Sequence, residues 1–205
     1  MKKFDLFSIG HSNLPIDRFM ALLRDAEIAA VADVRSTPAS RRFPWFNRGA
    51  LTERLARDRI DYLGFGDALG GRPCVPELYR DGIADYEAMA RRPEFVAGIN
   101  QLIAAASKCR VCLMCAEREP LDCHRCLLVA RVLAERGFTV GHLSSDGRIE
   151  AHAETERRLL ALTGTDDDLF VTGQCDRLAA AYERRARAVA YRAKAVPPGA
   201  KFVAE

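Results

Sequence analysis

The sequence predicts an α/β fold: a three-layer domain with a mainly parallel sheet, followed by a helical C-terminal extension. Three observations predict it. Apolar runs of strand length alternate with segments of helical period, as repeated βαβ units require. The run at 111–114 (VCLM) is apolar throughout, as a strand covered on both faces must be. It stops at Cys115, and a polar loop leads into a second apolar segment that ends at Gly137. The domain is expected over residues 1–162, and residues 163–205 then supply an acidic linker, a basic helix and a tail.

Residues 4–9 read as a first strand, with Gly10, His11, Ser12 and Asn13 as its exit. Pro15 suits the approach to a helix whose Phe19, Leu22, Leu23 and Ala26 share one face. A second strand at 30–34 ends in Asp33, Val34 and Arg35, which closes a βαβ unit and implies parallel pairing. Residues 36–49 hold two prolines, and no regular element is expected there, because proline removes backbone donors and restricts its neighbour. A helix with Leu51 and Leu55 inward follows, then a short third strand at 61–65 and a flexible glycine-rich stretch at 64–73. Residues 79–89 are ambiguous and favour a short helix; 93–106 form a helix on Phe95, Ile99, Leu102 and Ile103. After the central strand, loop and helix come a strand at 139–143, a turn at 145–148 and a helix at 151–162. A last basic helix spans 177–195.

Composition narrows the class. Of 205 residues, 49% are apolar, enough for a packed core rather than a disordered chain. The net charge of +3 is too mild to prove a nucleic-acid partner. It is unevenly spread, however: 35–59 carry seven arginines against two acids, and 177–205 carry seven basic residues against two acids. Such zones suit a phosphate-rich partner. The N-terminus is too short and polar for a signal peptide, and no apolar run has membrane length. Seven cysteines, an odd number partly in apolar segments, predict a cytoplasmic, thiol-reduced protein.

The reactive residue types crowd at 115–125. Cys109, Cys112, Cys115, Cys123 and Cys126 are spaced like a metal cluster. Strand alternation argues against it, because residues three apart point to opposite faces. A smaller set of Cys115, Cys123 and His124 stays geometrically open, but the expectation is no metal and no cofactor. Cys115 and Cys123 are candidate nucleophiles, Cys123 near a helix N-terminus that favours a thiolate. Glu117 and His124 are the general acid–base candidates.

In a parallel sheet the strand exits meet on one edge, so His11, Ser12 and Asn13 are expected beside Arg35, Ser36 and the turn holding Arg125. Arg35 and Arg125 are expected to clamp an anion, with Arg41 and Arg72 supplying further cationic contacts. Arg41, Arg42 and Arg48 alternate with Phe43, Trp45 and Phe46, a pattern that fits stacked bases or a loop anchored by its own aromatics.

Several motifs in order, IGHSN (9–13), DVRSTPASRR (33–42), FN (46–47), LGGRP (69–73), CAEREPLDCHR (115–125) and HLSSDGRIEAH (142–152), resemble the domain-of-unknown-function family 488 of small bacterial and archaeal proteins. That resemblance implies a cytoplasmic protein and carries no assigned reaction. A looser likeness to rhodanese-type sulfurtransferases lies in the strand–Cys115–loop–helix layout. The seven-residue loop at 116–122 is longer than the compact rhodanese loop, and Leu121 stands where a phosphatase arginine would fall. The acidic Asp168-Leu169-Phe170 segment looks like a bacterial sliding-clamp ligand without its leading glutamine.

The expected function is recognition of a phosphate-bearing ligand, nucleotide or nucleic acid, at this edge, by a hydrolase or transferase if chemistry occurs. The alternatives are a non-catalytic nucleic-acid adaptor and a sulfur-transfer or redox protein using Cys115 or Cys123.

Overall fold

A computed structural model describes residues 4–165 and 174–193. The Asp168-Leu169-Phe170 segment therefore lies outside the described residues. The fold is mixed α/β, and its main sheet has six strands in the order β3-β2-β6-β1-β7-β8. β1 (Leu6–Gly10) is followed by α1 (Ile16–Asp25) and β2 (Ala30–Asp33), then by α2 (Arg48–Arg57) and β3 (Asp61–Gly64). A short α3 (Gly66–Leu69) leads to a two-stranded hairpin, β4 (Tyr79–Arg80) and β5 (Ile83–Ala84), and to α4 (Tyr86–Ala90) and α5 (Pro93–Ala106). The central strand β6 (Val111–Cys115) precedes the reactive loop. A helix enters through wide π turns at Arg125–Ala130 and ends as α6 (Arg131–Glu135). β7 (Val140–Leu143), β8 (Ile149–Ala151), α7 (His152–Thr163) and α8 (Gln174–Val189) complete the chain.

All pairings among β1, β2, β3, β6 and β7 are parallel, and only β8 runs antiparallel, on the edge. β6 lies between β2 and β1, so the exits of these three strands are neighbours. Side-chain alternation divides the core into two layers. Val111, Leu113 and Cys115 face the layer under α5, α6 and α8, whereas Cys112 and Met114 face the layer under α1 and α2. The cysteine run of the sequence is thereby split between opposite sides of the sheet. Both layers are close-packed, and truncation of a residue such as Leu113, wholly buried, would cost about 2–5 kcal/mol.

Four local readings differ from the structure. The 36–49 loop holds a 3₁₀ turn at Pro44–Phe46, where proline at the first position loses no intrahelical bond. The stretch expected to be flexible contains α3, whose Leu69 is buried. Residues 79–89 are not one helix: the Asp81-Gly82 pair, both at positive φ (54° and 74°), turns a hairpin before α4 begins. The Asp81-Gly82 dipeptide between Tyr79-Arg80 and Ile83-Ala84 was the available signal. β8 was also missed, being three residues long and only half-buried.

A buried polar chain ties the C-terminal helix to the sheet. Ser8 Oγ is 2.6 Å from His142 Nδ1, His142 Nε2 is 2.9 Å from His152 Nδ1, and His152 Nε2 is 3.0 Å from the Tyr182 hydroxyl. Tyr182 donates to Glu156 at 2.9 Å. One direction satisfies every link: serine donates to His142, His142 to His152, His152 to tyrosine, tyrosine to the carboxylate. Both imidazoles are then neutral, in keeping with burial, which lowers His152 to about 4 and His142 well below its ordinary value. Among the described residues, no helix is long and apolar enough to cross a membrane.

Candidate functional site

A cavity of about 530 Å³ opens at the carboxyl edge of the parallel strands. β1 contributes its exit residues His11 and Ser12, β2 contributes Arg35 and Ser36, and β6 contributes Cys115 and Glu117. The start of the helix after the loop adds Cys123 and His124; the segment after α3 adds Gly71 and Arg72. Tyr86 of α4 forms part of the wall, and Val189 and Tyr191 arrive from the far end of the chain.

The loop between β6 and the helix folds back over β1. The His11 and Ser12 amides donate to the carbonyls of Cys115 and Ala116, both at 2.9 Å. Gly10 makes this possible, since a Cβ there would stand 1.7 Å from the Glu117 carbonyl oxygen. Glu119 accepts from the Leu121 amide, and a 3₁₀ turn at Pro120–Asp122 delivers Cys123 back beneath the strand end.

At the floor, two thiols converge on one carboxylate. Cys115 Sγ is 2.9 Å and Cys123 Sγ is 3.0 Å from Glu117 Oε2. His124 Nδ1 lies 3.8 Å from the first sulfur and 3.9 Å from the second, while its Nε2 donates to the Val34 carbonyl at 2.8 Å. Cys115, Cys123 and His124 are buried, and Glu117 is exposed although its carboxylate reaches inward. Three acids this close cannot all ionise. Burial, reinforced by the bond to Cys123, pushes the Cys115 thiol well up; burial and the Cys123 charge raise Glu117. Burial opposes ionising Cys123 as well, but the Cys115 bond and the charges of Arg125 and His124 outweigh it and bring that thiol well down. His124 is raised: burial works against its charge, and the contact with Cys123 overcomes it.

The two arginines expected to clamp an anion are engaged by the protein itself. Arg125 is almost wholly buried and donates to the carbonyls of Glu117 (2.5 Å) and Arg118 (2.8 Å), which props the loop from beneath. Its Nε is buried without a hydrogen-bond partner. Arg35 forms a buried fork on Asp33 (2.9 and 2.6 Å) and donates to the Phe46 carbonyl at 2.8 Å. Its remaining nitrogen is 3.2 Å from His11 Nε2. His11 donates through Nδ1 to the Ser12 carbonyl, so both ring nitrogens are used; burial and then the Arg35 charge lower it to about 4.

Of the other predicted residues, Arg72 lines the cavity, with its guanidinium 4.9 Å from the Tyr191 ring and its amide donating to Ser36 Oγ at 3.0 Å. Asn13 lies outside the lining and accepts from Arg118 at 2.5 Å. Arg41 is exposed on the 36–49 loop and does not line the cavity. That loop is anchored by its own aromatics: Phe46 is fully buried and stacks on His11 at 4.1 Å, leaving Trp45 as its exposed ring. Sequence reasoning missed Asp33 as the partner of Arg35, although it stands two positions earlier at the same strand end. It read Gly71 as part of a flexible stretch and missed its packing on His124, where a Cβ would lie 2.7 Å from the ring. Tyr86 and Tyr191 gave no signal beyond an aromatic in an amphipathic stretch.

A second cluster, Cys126, His142 and His152, also has mutually close donor atoms. Its imidazole nitrogens are all spent in the chain from Ser8 to Glu156, so it reads as a structural lock.

Fold and site together define an α/β protein with a thiol–carboxylate–imidazole cluster at the exits of its central parallel strands. Residues 15–132 match the family described as Domain of unknown function DUF488, which covers more than half of the chain, and the chain belongs to that family. No curated protein and no solved structure matches it.

Proposed function

We propose that the protein is a hydrolase or transferase acting on a phosphate-bearing ligand, a nucleotide or a short stretch of nucleic acid, in the strand-exit cavity. The observation that carries this reading is the cavity itself. Its volume, about 530 Å³, is in the range of small-ligand sites, and its position is where open parallel sheets bind ligands. The walls offer hydroxyl donors at Ser12, Ser36 and Ser40 and a cation at Arg72, chemistry that suits phosphate oxygens. Arg72 is the anion contact in this reading, on its place in the cavity lining. Glu117 is the acid–base group, because it faces the cavity while His124 has its Nε2 held by Val34.

The test is a thermal-shift screen of the full chain against inorganic phosphate, nucleoside mono- and diphosphates, and short single- and double-stranded oligonucleotides. A nucleotide-sized ligand is expected to raise the melting temperature, Arg72→Gln to weaken that ligand about tenfold or more, and Glu117→Gln to keep binding but lose turnover. If no phosphate compound stabilises the chain at low salt, the reading is wrong. A shift with oligonucleotides alone, steeply salt-dependent and indifferent to Arg72→Gln, would point to the adaptor instead.

A further inference from the structure

We propose that Cys115, Cys123 and His124 hold a thiophilic divalent cation of the zinc class at the floor of this cavity, with Glu117 at the fourth corner. The site shares residues with the proposed ligand pocket but does not depend on what that ligand is; with the cation bound Glu117 is its ligand, and the acid–base role given above is that of the metal-free cluster. It runs against the sequence-based expectation of no metal, which rested on the strand cysteines. The structure answers that objection, because the cluster does not use Cys109 or Cys112 and takes its second sulfur and its imidazole from across the loop.

Geometry is the first argument. The four donor atoms all lie within 4.8 Å of one another. A tetrahedral zinc, about 2.3 Å from sulfur and about 2.0–2.1 Å from nitrogen, would set sulfur and nitrogen about 3.6 Å apart. The two sulfur–Nδ1 distances are 3.8 and 3.9 Å. The carboxylate oxygen, at 2.9 and 3.0 Å from the sulfurs, would back away by about half an ångström to reach a tetrahedral edge. Glu117 has that freedom, being the one exposed member of the four and lining the open cavity.

The surroundings are the second argument. Metal-bound histidines usually donate their other ring N–H to a carbonyl or carboxylate, which fixes the tautomer and aims the lone pair. His124 Nε2 does so to Val34, turning Nδ1 toward both sulfurs. The Arg125 amide donates to Cys123 Sγ at 3.4 Å, a contact that steadies a metal-bound thiolate. Gly71 packs on the imidazole so closely that a methyl group would displace it, which locks the ring. Two sulfurs, one imidazole and one carboxylate select zinc-like ions over magnesium or calcium.

The experiment uses the full chain, stripped with chelator under reductant and titrated with Co²⁺ and Zn²⁺. One equivalent is expected to bind, with sulfur-to-cobalt charge-transfer absorption, and Zn²⁺ should displace it. Cys115→Ser and Cys123→Ser should each weaken Zn²⁺ by more than the ~10–100-fold that losing a hydrogen-bond partner of a metal ligand costs, and Cys112→Ser should leave the stoichiometry unchanged. Alkylation of the wild type keeps the test decisive if a variant fails to fold. Zn²⁺ should protect Cys115 and Cys123 from iodoacetamide while the exposed Cys74 and Cys175 continue to react. No uptake by the folded chain, uptake that survives Cys123→Ser unchanged, or no protection would each overturn the site. None of these readouts requires a phosphate ligand, so a metal-free chain that still binds nucleotide would remove the cation and leave the proposed function standing.

Discussion

The Nε2 of His124 donates to the Val34 carbonyl across 2.8 Å, joining the first turn of the helix after the reactive loop to the exit of β2. The bond spans ninety positions of sequence and sets which nitrogen of the ring is left for the thiols. Without it the imidazole could rotate, and the cluster at the floor would lose its only nitrogen donor among the described residues. The site is thus held by backbone groups of the sheet as much as by its own side chains.

The buried pair of Asp33 and Arg35 should be indispensable to the fold. Both side chains are at most 5% exposed, and the fork also carries the Phe46 carbonyl and the ring of His11. Asp33→Ala leaves a guanidinium in the core without its counter-charge, and the expected loss is about 3–5 kcal/mol of stability by urea unfolding. A loss under about 1 kcal/mol would mean that water reaches Arg35.

Acid should destabilise the chain through His152 and His142. Each is neutral when folded, so the unfolded chain binds more protons and stability falls as pH falls. For His152 the loss begins near the ordinary value of 6.5 and is complete once pH drops through about 4. At about 1.4 kcal/mol per pH unit this amounts to about 3 kcal/mol. Tyr182, Glu156, His142 and Cys126 face this ring, and Glu156, itself raised by burial, works in the opposite sense. The measurement is therefore a comparison: stability against pH from 7.5 to 4 for wild type and His152→Gln, with the steeper slope expected in the wild type. Equal slopes would place the acid sensitivity elsewhere.

Gly10→Ala should break the reactive loop rather than the sheet. Its methyl group would meet the Glu117 carbonyl oxygen at 1.7 Å and the carbonyl carbon at 2.7 Å, both backbone atoms that cannot rotate away. A cost of about 2–3 kcal/mol is expected, within the range for overpacking and toward its upper end. Amide hydrogen exchange should show lost protection at His11 and Ser12, whose donors reach this loop. An unaltered exchange pattern would refute the close approach.

The parallel sheet was legible because residues 30–32 and Val111–Cys115 are apolar and buried, the pattern of strands covered on both faces. Topology then predicted that the exits carrying His11, Arg35 and Cys115 would be neighbours. The roles of Arg35 and Arg125 were not legible. Nothing in an arginine's own neighbourhood tells whether its acceptor is a ligand or a carbonyl brought in by the fold, such as that of Phe46 or Glu117. Convergence of Cys115 and Cys123 on one carboxylate was equally hidden, because a seven-residue loop does not fix the distance between its ends. The edge strand β8 and the hairpin at Tyr79–Ala84 fall below the length at which periodicity speaks.

Part of the cavity's wall has a different origin in the chain from its floor. Cys115, Cys123 and His124 lie inside the region matched to the family, whereas Val189 and Tyr191 come from beyond it, carried in by α8. Tyr191 reaches the rim by lying under the Arg72 guanidinium and by accepting the Ala84 amide at 2.9 Å. Such a division of labour gives evolution two independent handles. Substitutions at Val189 or Tyr191 can reshape the opening while Cys115, Cys123 and His124 stay as they are.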